Sequence, residues 1–231
     1  MRSNQGPGSR KPAGKRVASL PQDEGPKSKQ AILAAALRVF ASDGYIGASM
    51  PKVAKVAQVA APLIHYYFGS KENLWRETVA YSIGDLRRDV LAIGNATQAL
   101  APLDRLRVFL QTLTRHAARW PDNFVMIIAE ARSESDRHAW VQENYAGLIF
   151  QQLRSILQDA KDSRAIKEVA IDQLASLLIG GVLVYFTANP AVFDTTDPKD
   201  LDRMSGEYTD LMFDVLLDGI RRPASSRAKA V

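Results

Sequence analysis

Residues 57–72 read Ala57-Gln58-Val59-Ala60-Ala61-Pro62-Leu63-Ile64-His65-Tyr66-Tyr67-Phe68-Gly69-Ser70-Lys71-Glu72. The stretch has the marks of a short helix held between two turns, from about Ala61 to Phe68. Pro62 suits a first helical turn, where a missing N–H costs nothing. Ile64 and Phe68 stand four apart, so one face carries both into a core. That leaves Ala61, Pro62, Leu63, His65 and Tyr66 largely outward. Gly69 ends the helix and Ser70 caps the next.

Working outward, apolar residues upstream recur at Ile32, Leu33, Ala36, Leu37 and Phe40, a helical stripe that Gly44 should end. Ser49 can cap a second helix, roughly Met50 to Ala57, with Pro51 in its first turn and Val53, Ala54 and Ala57 inward. Downstream, Leu74, Val79, Ile83 and Leu86 carry a helix to about Ile93. Short helices joined by a tight turn have helix-turn-helix dimensions.

The ordered series Ile32-Leu33-Ala34-Ala35-Ala36, Phe40, Gly44, Ser49-Met50, Val53-Ala54, Ala57, Val59, Tyr67-Phe68-Gly69-Ser70-Lys71-Glu72 and Leu74 is specific. Through it, residues 29–77 resemble the DNA-binding domain of the tetracycline-repressor (TetR) family of bacterial regulators. Four positions depart from that pattern. Ala48 stands where the family often has Thr, Gln58 replaces the usual turn Gly, Ala60 replaces the usual cap Ser, and His65 stands where Tyr is frequent. Losing a Ser cap costs about 1 kcal/mol, and Gln58 is strained if its φ is positive. These departures bear on which DNA is read rather than on the fold.

A recognition helix in the B-DNA major groove presents three or four side chains to base edges. Here those are Ala61, Pro62, Leu63 and His65. Small apolar groups suit thymine methyls, and His65 suits a purine edge. Tyr66 is long enough for a phosphate or a base. Lys71 is expected on a phosphate. The helix N-termini at Ser49 and Ser70 offer backbone N–H groups, and Lys52 and Lys55 fit phosphate steering.

Charge is uneven. Residues 1–30 hold Arg2, Arg10, Lys11, Lys15, Arg16, Lys27 and Lys29 against Asp23 and Glu24, which accounts for the whole net charge of +5. Residues 1–25, rich in Gly, Pro, Ser and Lys, are expected to be a disordered basic arm. Such an arm fits nucleic acid or an anionic surface, and equally a solubilising leader. No apolar h-region marks it as a secretory signal. The absence of cysteine excludes disulfides, thiolate zinc sites and a cysteine nucleophile. His65, His116 and His138 are the only histidines, without metal-ligand spacing, and no hydrolase or phosphate-loop pattern occurs. No catalytic residue, metal or cofactor is expected.

The rest of the chain reads as further helices: Asp104–Arg119, broken by Trp120-Pro121; Phe124–Ala131; a long one over Asp136–Asp159; Lys167–Thr187, ended by Asn189-Pro190; and Ser205–Ile220. The expected fold is all-α, with about nine helices: a helix-turn-helix domain over 26–75, a helical body over 76–222 and a loose tail over 223–231. The apolar run Leu174–Phe186 is 13 residues, short of the roughly 20 that span a bilayer, so no membrane is expected. Apolar all round, it suggests burial partly against another chain, with Gly180-Gly181 permitting close approach, or else an intramolecular core helix.

The resemblance adds expectations. It implies a homodimer through the helices near 167–187 and 205–220, reading a pseudo-palindromic operator in double-stranded DNA. It places the protein in the bacterial cytoplasm, at the nucleoid. It implies a small-molecule effector of unknown identity, acting through the helix around 71–93. Phe109, Leu113, Trp120, Ile127, Trp140 and Tyr185 are candidates for an apolar pocket, with His116, Glu130 or Arg132 as polar anchors. The reading is a ligand-responsive repressor. Alternatives are a small-molecule-binding helical protein with a degenerate DNA-binding head, and an architectural binder using the arm.

Overall fold

The computed structural model describes residues 25–131, 135–188 and 197–220. Residues 1–24 of the basic arm, Arg132, Asn189-Pro190 and the C-terminal tail lie outside them.

Four helices build the N-terminal end: α1 (Gly25–Gly47), α2 (Met50–Ala57), α3 (Ala61–Phe68) and α4 (Lys71–Ala96). Gly44 kinks α1 at φ 69°, ψ 174°, a conformation open to glycine, before one more turn. α1 packs against α2 and α4 on one side and against the body on the other. Its Ile32, Ala35, Ala36, Val39 and Phe40 are all buried. α4 has 26 residues, about 39 Å at 1.5 Å per residue. Its stripe of Leu74, Trp75, Val79, Ile83, Leu86 and Val90 is buried from the head into the body.

The body comprises α5 (Pro102–Arg119), α6 (Pro121–Ala131), α7 (Asp136–Val141), α8 (Gly147–Asp162), α9 (Ile171–Ala188), α10 (Pro198–Met212) and α11 (Asp218–Ile220). A π turn at Gln142–Ala146 joins α7 to α8, and another at Phe213–Leu217 joins α10 to α11. Counting each such pair as one rod, the described residues form nine helical rods. Buried side chains make one cluster from α1 to the last rod. Across α5 and α10, Thr114 and Thr209 share a hydrogen bond of 2.9 Å in that core.

Several element bounds differ from expectation, each for a local reason. α6 starts at Pro121, not Phe124, because proline suits a first turn. α9 starts at Ile171, not Lys167. The Lys167 N–H is drawn instead to the Ile220 carbonyl at 2.8 Å, and its ammonium to the Gly219 carbonyl at 2.7 Å. The last rod starts at Pro198, not Ser205. Asp197 caps it by accepting the Lys199 N–H at 2.9 Å, while Ser205 is buried mid-helix and donates to the Asp202 carbonyl. α9 is 18 residues, long and apolar enough to cross a membrane by length and composition. In this fold it buries Leu174, Ala175, Leu178, Val182 and Phe186 against its neighbours.

Candidate DNA-recognition surface and head–body junction

The turn between α2 and α3 closes without glycine. Gln58 adopts φ 56°, ψ 39°, the left-handed region. Its N–H donates to the Lys55 carbonyl at 3.3 Å, and the Val59 N–H donates to the Ala54 carbonyl at 3.0 Å. This pair of bonds is a Schellman motif, so the orphan carbonyls of α2 are satisfied although the residue is strained. Ala60 offers α3 no side-chain cap. At the other end of α3, Gly69 takes φ 69°, ψ −51° and closes a γ-turn in which the Ser70 N–H reaches the Phe68 carbonyl at 2.7 Å. Asn73 donates its amide to the same carbonyl at 3.0 Å. Ser49 and Ser70 cap α2 and α4, accepting from the Lys52 and Asn73 N–H groups.

α3 turns the expected residues outward. Ile64 and Phe68 are buried, whereas Ala61, Pro62, His65 and Tyr66 are exposed and Leu63 is half-buried. Tyr66 is 72% exposed, unusual for so large an apolar ring. It stands edge-on to the half-buried Tyr67, centroids 5.3 Å apart.

The lysines are less free than the sequence suggests. Lys52 pairs with Asp43, which, with Ser42, holds that carboxyl below its usual range. The pair is exposed, where solvent and salt screen it, so a phosphate can compete for Lys52. Lys71 donates to the Ile46 carbonyl at 3.2 Å and lies 4.6 Å from the Tyr45 ring centre. It ties α4 to the end of α1. Ile46, 92% exposed beside this contact, was not singled out from sequence.

Sequence reading also missed the junction between head and body. Arg137 at the start of α7 lies over the Tyr45 ring at 3.6 Å, pairs with the buried Glu130 at 3.2 Å and reaches Glu72 at 3.8 Å. The Tyr45 hydroxyl donates to Glu72 at 3.2 Å, and Arg76 pairs with Glu72 at 2.9 Å. Burial first, and the Glu72 charge second, push the Tyr45 phenol up. Trp75 and Trp140 pack beside them at 6.0 Å. Arg137 lies far from its head partners in sequence, so no local motif announces it.

Of the nine pocket candidates, Arg132 lies outside the described residues, and the other eight do not share one of the cavities described here. Leu113 and Ile127 line an apolar cavity of about 180 Å³. His116 and Trp120 line a separate cleft of about 490 Å³ between α4 and α5, with Asp85, Asp89, Arg115 and Arg119. Phe109 is fully buried in the core. Glu130 belongs to the Arg137 junction, Trp140 packs on Trp75 and Tyr145, and Tyr185 stacks on Tyr208 at 4.1 Å. Aromatic residues at helical spacing satisfy each other here rather than facing one space.

A short helix with an apolar anchor inside and an exposed face outside, two serine-capped neighbours and a strained tight turn together make a DNA-binding head of the helix-turn-helix class. Residues 32–78 match the family described as bacterial regulatory proteins, tetR family. The chain is 28% identical to the HTH-type transcriptional regulator BetI of Agrobacterium fabrum, over 87% of this chain and 96% of that one. It is 24% identical to the HTH-type transcriptional repressor NicS of Pseudomonas putida, over 85% and 93%. Among solved structures, HlyIIR, a hemolysin II transcriptional regulator, superposes with a TM-score of 0.61 at 25% identity, covering 78% of this chain and 97% of that one. Residues 32–78 thus match the DNA-binding domain of the TetR family, and over most of its length the chain is similar to HTH-type transcriptional regulators.

Proposed function

We propose that this chain acts as a homodimeric repressor at a pseudo-palindromic operator, released or engaged by a small-molecule effector. Residues 26–75 serve as the DNA-binding head and 76–222 as the effector-binding and dimerisation body. The carrying observation is α3, with Ile64 and Phe68 buried and Ala61, Pro62, His65 and Tyr66 presented outward. The alternative of a degenerate head loses its motivation, because the turn closes around Gln58 and α3 forms without a serine cap.

The dimer reading rests on apolar side chains that this chain leaves uncovered. Leu177 and Val184 on α9 are 53% and 62% exposed, and Leu211 and Val215 on the last rod 54% and 63%. The two glycines divide their roles. Gly181 meets the chain's own Tyr208, whose hydroxyl donates to its carbonyl at 2.8 Å, whereas a Cβ on Gly180 would meet nothing within 4 Å. Gly180 is thus the one open to a partner helix. With two heads fixed by one two-fold axis, half-site spacing becomes a property of the body.

The test is fluorescence anisotropy on duplexes from the region upstream of the protein's own gene, over a salt series. A saturable, sequence-selective complex is expected. Tyr66→Ala should weaken it at least tenfold with an unchanged melting temperature, since the side chain supports no core. Equal affinity for every duplex, unaffected by Tyr66→Ala, overturns the operator reading.

A further inference from the structure

The 180 Å³ cavity has a chemical character of its own. Its floor is Ile83, Leu113, Phe124, Ile149 and Ile179, all nearly inaccessible to solvent. Among the described residues, none that lines it is ionisable, and Gln142 is its single polar wall. The charged cleft between α4 and α5 is a separate space.

Gln142 reaches that wall because of the π turn it opens. The Gly147 N–H closes the turn on the Gln142 carbonyl. A Cβ on Gly147 would lie 2.4 Å from that carbonyl oxygen, so the wide turn requires glycine there. The same turn sets Ala146 on the cavity wall. Gln142 is exposed at the cavity mouth, and its side-chain amide makes no hydrogen bond among the described residues. It is available to a ligand.

We propose that this cavity binds an uncharged, compact, largely apolar effector with one hydrogen-bonding group, which Gln142 recognises. The proposal rests on the effector-controlled regulator described above. At the packing density of protein interiors, the space holds about ten non-hydrogen atoms. An ionised group would lose its hydration against apolar walls with no counter-charge, which excludes carboxylates and ammonium ions. The site also adjoins the head–body junction. α6 carries Ile127, Ile128 and Ala131 on the cavity and Glu130 on Arg137. The rod that carries Gln142 also carries Arg137, five residues earlier. An occupant therefore touches both flanks of the segment that holds Arg137 on Tyr45 and Glu72.

The experiment uses the full chain with two pairs of probes of matched shape: benzamide and benzoate, then indole and naphthalene. Binding is read by calorimetry and by the shift in melting temperature. Benzamide, indole and naphthalene are expected to bind, with benzoate about a hundredfold weaker than benzamide. Gln142→Leu should lower indole affinity about tenfold, the worth of one hydrogen bond, and leave naphthalene within about twofold. Ala146→Leu, filling the space, should abolish both. Benzoate binding as tightly as benzamide, or Gln142→Leu weakening indole and naphthalene alike, overturns the proposal. Operator binding is followed alongside. Specific DNA binding with no probe bound overturns the ligand class and leaves the regulator intact. Probe binding without specific DNA binding supports the cavity and overturns the regulator.

Discussion

Lowering the pH should destabilise this protein through His116. The imidazole is buried on α5, edge-on to Phe124 at 5.8 Å, and its Nε2 finds no hydrogen-bond partner among the described residues. Burial lowers its pKa from 6.5 to about 4, against opposing help from Asp85 and the Ser82 carbonyl, and with a further push down from Arg119. Between those two values the unfolded chain binds a proton that the fold refuses, so ΔG of unfolding falls as pH falls. The stability is fully present above 6.5 and lost by about pH 4. The full span amounts to about 3 kcal/mol, of which about 2 is lost between pH 7.5 and 5. For a chain of this size that is about 4–8 °C in melting temperature. Thermal melts at fixed protein concentration across this range would be compared with His116→Asn, whose amide can still donate to Ser82. Burial raises the Asp122 pKa, which works in the opposite direction, so the difference between the two proteins is the quantity read. Parallel pH profiles for the two proteins would refute the assignment.

The recognition turn offers a second measurement. Gln58→Gly should stabilise the fold by about 0.5–1 kcal/mol by relieving the left-handed strain, and Ala60→Ser by about 1 kcal/mol by adding the missing cap; urea midpoints that fall would contradict both. Removing residues 1–24 should flatten the slope of log affinity against log salt by nearly one for each phosphate the arm neutralises; identical slopes would leave the arm a solubilising leader. Val184→Glu together with Val215→Glu should convert the dimer to monomer in analytical ultracentrifugation and lower operator affinity, whereas an unchanged sedimentation coefficient would place the dimer face elsewhere.

Legibility in the sequence followed the range of the signal. The bounds of α2 and α3 agree with expectation because Ser49, Pro51, Pro62, Gly69 and Ser70 act on their immediate neighbours. The left-handed Gln58 was legible as a conditional, since it occupied the turn position. Ser205 misled because a serine inside a helix can bond back to a carbonyl instead of capping, while Asp197-Pro198 held the stronger start signal. The π turns were invisible because their residues have ordinary helical spacing, and only the close approach of Gly147 to Gln142 reveals the first. The pocket candidates are spread over several places for a tertiary reason: which aromatic faces a cavity and which faces another ring depends on helix rotation, which the apolar stripe leaves open.

The least legible feature is the one that joins the two halves. Tyr45 lies just past the Gly44 kink, four residues before the Ser49 cap, so its position helps set where α2 begins. Its ring meets Lys71 from the head and Arg137 from the body, and its hydroxyl is fixed to Glu72. Apolar contacts tolerate sliding, because one methylene replaces another at little cost. This junction does not. Removing Arg137 from Tyr45 and Glu72 would also disturb the buried Glu130, and stranding a buried charge costs several kcal/mol unless a second paired arrangement exists. A contact of that kind has discrete states rather than a continuum. Small shifts of α6 or α7 are therefore either resisted or converted into a new seating of Arg137, and the second outcome moves the segment that carries Ser49 and α2. In the regulator proposed above, this charge cluster, rather than the length of α4 alone, is the element that would carry the body's state to the recognition helix.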